Sequence, residues 1–262
     1  MSDGKKEFKR AIFCPPGINF AAGLTTVDLG VPDHAIAVRQ HEGYCAALEQ
    51  CGLTLTRLEV DERFPDSTFV EDTAVLTEHC AILTRPGASS RAGEVTSIRT
   101  SLSQFYSLIK SIEEPGTLDG GDVCEAGKHF FIGISERTNK AGAQQLAELL
   151  ALEGYTSTCV DIRGINSILH LKSGISYLGE NRLVVIDALA NRAELHGYDL
   201  VRVNAGEEYA ANCLYLNDRV LVGAGYPLLE SSLRDLGYQT IALEMSEFQK
   251  MDGGLSCLSL RF

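Results

Sequence analysis

The chain has 262 residues, 45% hydrophobic and 22% charged, with a formal net charge of −12 and eight cysteines. That length holds one large or two ordinary globular domains, and no apolar run approaches the ~20 residues that span a bilayer. The acidic balance argues against nucleic acid, whose phosphates need a basic footprint, and suits a small cation, which an acidic cleft concentrates.

Residues 1–10 carry positive charge with no apolar segment behind them, so no secretory signal is expected. The cysteines at 14, 45, 51, 80, 124, 159, 213 and 257 include no Cys-x-x-Cys pair. Their scatter argues against a zinc cage or a disulfide framework and fits reduced thiols in a cytoplasm. Residues 10–15 read as a strand without a local partner. The 18–34 segment, with Gly17 and Gly23 as hinges, is expected to be a mobile lid over a binding mouth.

Helix starts follow at Asp33, which precedes an amphipathic stretch to Cys51, at Asn139 before 140–153, and at Pro227 before 228–236. Gly52, Gly154, Gly197 and Gly237 each end a helical-looking stretch as the left-handed residue that stops a helix. A strand-like run follows each at once, over 53–60, 155–162, 198–203 and 238–243. Hairpins are expected over 72–84, 122–133, 171–186 and 213–225. They turn at Glu78-His79, Gly127-Lys128, Gly179-Glu180-Asn181 and Asn217-Asp218.

Polar residues stand at the hairpin entrances: Glu71 and Asp72, Asp119, His170, Asn212 and finally Cys257. From Glu71 onward they recur every 42 to 51 residues, and self-similarity at such a period means stacked supersecondary units in a ring or solenoid. Five units span nearly the whole chain. The last has no second hairpin strand before Phe262, and residues 10–15 would supply it. Pairing 10–15 with 258–262 would close a ring and remove both exposed edges. The expected fold is therefore α/β, a single domain over 1–262. Five strand-rich αβ modules would surround a pseudo-fivefold axis, and their entrances would converge on it.

Convergence would join Asp72, Asp119, His170 and Cys257 at one mouth. A thiol, an imidazole and acids form a nucleophile–base–orienter set. An ordinary thiol with a pKa near 8.5 is only about 3% thiolate at pH 7, and a neighbouring imidazolium or bound cation helps it ionise. Two acids beside the thiol would oppose that unless they hold a cationic substrate. A guanidinium fits, being planar, delocalised and rich in N–H groups that pair with carboxylates. Asn212 is read as a structural cap; His34, His41, His79, His129 and His196 sit in helix or turn contexts without a role.

The chain resembles the dimethylarginine dimethylaminohydrolases of the guanidine-modifying superfamily, whose fold is the five-bladed αβ propeller called a pentein. The resemblance runs along essentially its whole length. It rests on the segments at 61–72, 84–88, 118–122, 137–139, 170–173, 211–213 and 251–257, the last reading Met-Asp-Gly-Gly-Leu-Ser-Cys. It implies Cys257 as the nucleophile, His170 as general acid and then base, and Asp119 as the acid of the triad, where some members carry Glu. It implies Asp72, with Glu71 beside it, as the hold on the substituted guanidinium, and Arg91 and Arg137 as the pair binding the α-carboxylate. Asp66 and the carbonyls of Leu24 and Met251 would meet the other polar groups, mostly the α-amine. The implied reaction is hydrolysis of asymmetric dimethylarginine and monomethylarginine to citrulline plus the amine, with no cofactor and no metal.

Arginine deiminase is the nearest alternative. The deiminase pattern has an Asp two residues after the histidine, where this chain has Lys172, and a helical insertion for which this chain is too short. Amidinotransferases are longer as well. A non-catalytic ring that binds arginine-like ligands is the alternative of a different class, since fold does not dictate function; such a protein has no use for Cys257. A zinc ion captured by Cys257 and His170 would have two soft ligands where a structural cage wants four. Whether the chain forms a homodimer is left open.

Overall fold

The computed structural model describes residues 7–262; the N-terminal stretch weighed as an export signal lies largely outside them. Five three-stranded sheets occupy the described residues. In chain order, the first contains β1 (Arg10–Phe13) and β2 (Thr54–Arg57), and the second β3 (Ala74–Leu76), β4 (Cys80–Leu83) and β5 (Leu108–Ser111). The third has β6 (Val123–Ala126), β7 (His129–Ile134) and β8 (Thr156–Asp161), and the fourth β9 (Ile175–Tyr177), β10 (Arg182–Val185) and β11 (Asp199–Arg202). The fifth has β12 (Leu214–Leu216), β13 (Arg219–Gly223) and β14 (Gln239–Leu243), and β15 (Leu260–Arg261) returns to complete the first.

Every sheet follows one plan. An inner strand runs antiparallel to a central strand, which runs parallel to an outer one. A parallel neighbour requires a crossover. Helices α1 (His34–Gln50), α2 (Val95–Leu102), α3 (Lys140–Ala151) and α4 (Pro227–Asp235) provide four of the five. Asp33 and Asn139 cap α1 and α3 by accepting from the amides of Ile36 and Gly142. Gly52, Gly154, Gly197 and Gly237 all have φ between 79° and 96°, as expected of the residue that ends a turn and releases the next strand. Asn217 and Asp218 both take positive φ at the β12–β13 hairpin, the conformation that matches strand twist.

Two readings need correction. No α-helix precedes Gly197; β10 and β11 are linked by tight turns and a single 3-10 turn, Ala193–Leu195. The i→i−3 bonds of Leu189, Ala190 and Arg192 use the backbone groups that a helix would need. Strand β5 and helix α2 were not anticipated, because α2 ends at Ser103 without a glycine stop. Closure also does less than expected. β1 and β15 pair at Ala11↔Arg261 and Ile12↔Leu260, yet the five sheets remain separate. The outer strands β2, β5, β8, β11 and β14 keep an edge and are half-exposed.

The inner and central strands are more deeply buried than the outer ones, and the core lies between neighbouring blades. Phe130, Phe131, Leu183, Val184, Val220 and Val222 are at most 1% exposed, and each such side chain contributes about 1.5–3 kcal/mol by leaving water. Packing thus fixes the blades around the axis, where a 3-10 turn precedes each inner strand: Val70–Thr73, Gly120–Asp122, Leu171–Ser173, Glu208–Ala211 and Ser256–Leu258. The turns interlock through side chains. Gly121 N–H donates to Asp72, Leu171 N–H to Asp122, and Ser256 N–H to Asn212, each at 2.9 Å. Asn212 Nδ2 donates to the Lys172 carbonyl, and Ser256 Oγ to Glu71 Oε2, which completes the ring. None of the described helices is long and apolar enough to cross a membrane.

Candidate active site

The turns carry chemistry to the axis because each breaks the strand ladder at its inner end, leaving side chains there to face one another. His170 precedes one turn and Asp119 the turn before it; His170 Nε2–H donates to Asp119 Oδ2 at 3.0 Å. Asp119 is fully buried and also accepts from Gly87 N–H. Burial works against the imidazolium, but Asp72, Asp119 and Asp122 outweigh it and raise the His170 pKa to about 9. Asp119 is also disfavoured as an anion by burial, and the bond and charge of His170 bring it below the usual carboxylate range. An ionised carboxylate holding an imidazolium is therefore the resting state of this pair.

Cys257 lies on the last turn, at half-buried depth. Gly254 N–H points at its sulfur from 3.4 Å. Burial, then the charges of Glu71 and Asp72, push its pKa up to about 12, against the pull of Gly254 N–H and Lys172. The thiol rests neutral. A cavity of about 30 Å³ joins Cys257 and His170, with Leu24, Asp66, Asp72, Arg91, Arg137 and Met251 also on its wall.

Most residues singled out from the sequence meet at this cavity, and two stand behind it. Asp119 acts on it through His170. Glu71 turns away, with Oε1 taking Lys172 Nζ at 2.6 Å and Arg261 at 2.8 Å while Oε2 takes Ser256 Oγ at 2.6 Å. The two arginines also differ. Arg91 is committed to Asp72, to Glu94 and to the carbonyls of Asp66 and Phe69. The Arg137 guanidinium makes no hydrogen bond or ion pair among the described residues and faces the cavity. Asp66 accepts from Leu24 N–H at 3.0 Å, which ties the 18–34 segment to the mouth. Burial raises the Asp66 pKa, against the pull of Arg91.

Sequence reading missed Phe69, Leu169, Asp252 and Gly253 on the wall. It also missed Asp122, whose buried carboxylate takes the hydroxyls of Ser135 and Thr138 as well as Leu171 N–H. The Asp-Gly-Gly-Asp run was the available signal for Asp122. Asp72, Asp119 and His170 bring ligand atoms within 4.8 Å of one another. These groups already serve one another, Arg91 and Gly121 N–H. A larger cavity of about 180 Å³ lies off the axis beside Cys14 and Phe64; burial pushes the Cys14 pKa to about 11, and no histidine lines this cavity to activate it.

The model of the arginine deiminase family matches residues 63–205. The N(G),N(G)-dimethylarginine dimethylaminohydrolase of Pseudomonas aeruginosa is 43% identical over 97% of this chain and 100% of its own length. The chain belongs to the dimethylarginine dimethylaminohydrolases. The Streptomyces coelicolor member of the family is 33% identical over 97% of this chain and 96% of its own length. In structure, the Pseudomonas aeruginosa dimethylarginine dimethylaminohydrolase, as a cysteine-to-serine variant complexed with citrulline, superposes with a TM-score of 0.95. It is 42% identical and covers 98% of this chain and 100% of that one. The five sheets are thus the blades of a pentein.

Proposed function

We propose that this chain hydrolyses N-omega-methylated arginines, asymmetric dimethylarginine and monomethylarginine, to citrulline with release of dimethylamine or methylamine. One observation carries the reading: Cys257 and the Asp119-bound His170 open onto the same small cavity as Asp72 and the uncommitted Arg137. Arg137, with Arg91 behind it, takes the substrate α-carboxylate. Asp66 and the Leu24 and Met251 carbonyls take the polar groups around the α-carbon. Asp72 holds the methylated guanidinium, and Glu71 supports it from behind. Residues 1–262 act as one catalytic unit, and eight free cysteines support a reducing, cytoplasmic setting. The 18–34 segment is the lid; bound substrate should slow proteolysis at Gly23, and equal cleavage with and without substrate would count against it.

The resting charges explain why a cationic substrate is needed. Burial and the charges of Glu71 and Asp72 hold the thiol neutral; a guanidinium offsets the two carboxylates, so the thiol releases its proton to solvent and becomes the thiolate. The sulfur attacks the guanidinium carbon. His170, protonated and with Nε2 engaged by Asp119, gives a proton to the departing amine as the C–N bond breaks, leaving a thiouronium on Cys257. Neutral His170 then takes a proton from water, whose hydroxide adds to the same carbon; the C–S bond breaks, the new hydroxyl gives up its proton to restore the neutral thiol, and citrulline leaves. No cofactor enters. Lys172 on Glu71 favours this reading over arginine deiminase, because a cation stands where a second acidic clamp would grip an unsubstituted guanidinium.

The test compares citrulline release from dimethylarginine and from arginine, with mass spectrometry of trapped protein for an adduct on Cys257. Cys257→Ser should bind substrate without turning it over. Faster turnover of plain arginine would reverse the substrate assignment, and an active Cys257→Ser enzyme would remove the nucleophile.

A further inference from the structure

Arg261 lies four residues after Cys257, on β15, where an alternating terminal strand would place an ordinary solvated side chain. Its guanidinium instead turns inward. Nη1 donates to the carbonyls of Ser256 at 2.8 Å and Ser259 at 2.6 Å, and Nη2 to Glu71 Oε1 at 2.8 Å. The two carbonyls bracket Cys257 and Leu258, so one side chain grips both ends of the turn bearing the sulfur. Ser259 is fixed in turn by the buried Tyr44 hydroxyl, 2.6 Å from its Oγ.

We propose that Arg261 is a positioning residue for the nucleophile, clamping the Cys257 turn by its carbonyls while balancing the charge of Glu71 behind it. This rests on the reading of Cys257 as the reacting thiol. The planar fork suits the task, since its two nitrogens serve the turn and the carboxylate at fixed relative positions, which a lysine ammonium cannot. The charged and titratable groups around the sulfur are Glu71 and Asp72 on one turn, His170 and Lys172 at the Leu171–Ser173 turn, Tyr209 on the Glu208–Ala211 turn, Asp66, Arg91, Arg137 and Asp252 on the cavity wall, and Arg261. Within that set Arg261 and Lys172 share Glu71 Oε1. Loss of Arg261 leaves Glu71 less neutralised and the turn less fixed.

The experiment measures kcat and KM for dimethylarginine, and the rate of Cys257 alkylation by iodoacetamide at one fixed pH, located by mass spectrometry, in the full chain. Arg261→Ala should lower kcat roughly 10- to 100-fold, the effect of a displaced reacting group, with KM within about threefold. Its alkylation should be several-fold slower, because a neighbouring anion has lost a counter-charge and less of the thiol is ionised. Arg261→Lys should restore the alkylation rate but only part of kcat. A folded Arg261→Ala with wild-type kcat and alkylation rate overturns the proposal, even if its melting temperature falls. Should Arg261→Ala not fold, Arg261→Lys decides: full kcat there also overturns it. A wild-type chain that releases no citrulline removes the proposed function, and the alkylation comparison still judges Arg261.

Discussion

His170 Nε2 and Asp119 Oδ2 meet at 3.0 Å across two different blades, the carboxylate fully buried behind the imidazole. Asp119→Asn keeps the shape and loses the charge, so the imidazole loses its tether and part of its reason to be protonated. We expect kcat to fall roughly 10²- to 10⁴-fold, the range for a lost general-acid contribution, with a smaller change in KM. Steady-state kinetics on dimethylarginine, together with an NMR titration of His170 moving towards the ordinary histidine range, would check this.

Adjacent glycines at 120 and 121 should respond differently to alanine. A Cβ on Gly120 would lie 2.0 Å from the backbone carbonyl oxygen of Glu71, whereas one on Gly121 would lie 2.8 Å from Asp72 Oδ1 and from His170 Nδ1. Backbone cannot step aside, so Gly120→Ala should cost about 1–3 kcal/mol or more of stability, read by urea unfolding. Gly121→Ala should fold better and lose activity, because the imidazole and the carboxylate are what must move.

His170 also makes stability depend on pH. Its folded pKa of about 9 lies above the ordinary 6.5, so the folded state holds its proton more tightly than the unfolded chain. That contribution, on the order of 3 kcal/mol, is complete below pH 6.5 and is lost as the pH rises through 9. Unfolding midpoints should therefore fall across that window, and His170→Asn should flatten the slope.

Asp72 and Arg91 form a buried pair, each side chain 5% exposed. Asp72→Asn should destabilise the protein by about 3 kcal/mol, because burial leaves Arg91 one counter-charge short. Asp61→Asn, which breaks a pair with Arg63 in solvent, should leave the unfolding midpoint unchanged. Equal effects in the two variants would contradict this account.

The repeat was legible because glycines mark it. Gly52, Gly154, Gly197 and Gly237 each supply the positive φ that ends one element and starts the next. The second blade escaped because its crossover helix ends at Ser103 without such a residue, and β5 reads as an ordinary amphipathic tetrapeptide. Polar residues at hairpin entrances pointed to the axis for the same reason that they occur there: a buried acid or imidazole needs partners, and a ring of turns supplies them. What the sequence hid was direction. Glu71 and Asp72 are neighbours, yet one faces the nucleophile's turn and the other accepts from Arg91 and Gly121. Arg91 and Arg137 differ only in how many acceptors surround them. Such differences depend on side chains from four blades and have no local signature.

The pairing of β15 with β1 sets a constraint on how the protein is made. The sheet behind the reactive sulfur pairs Ala11 with Arg261, so the sulfur cannot acquire its setting until both of these distant strands have been made. A nascent chain would hold the acids and the imidazole long before the thiol joins them. Catalytic competence thus reports that these two strands have both been made and have found each other.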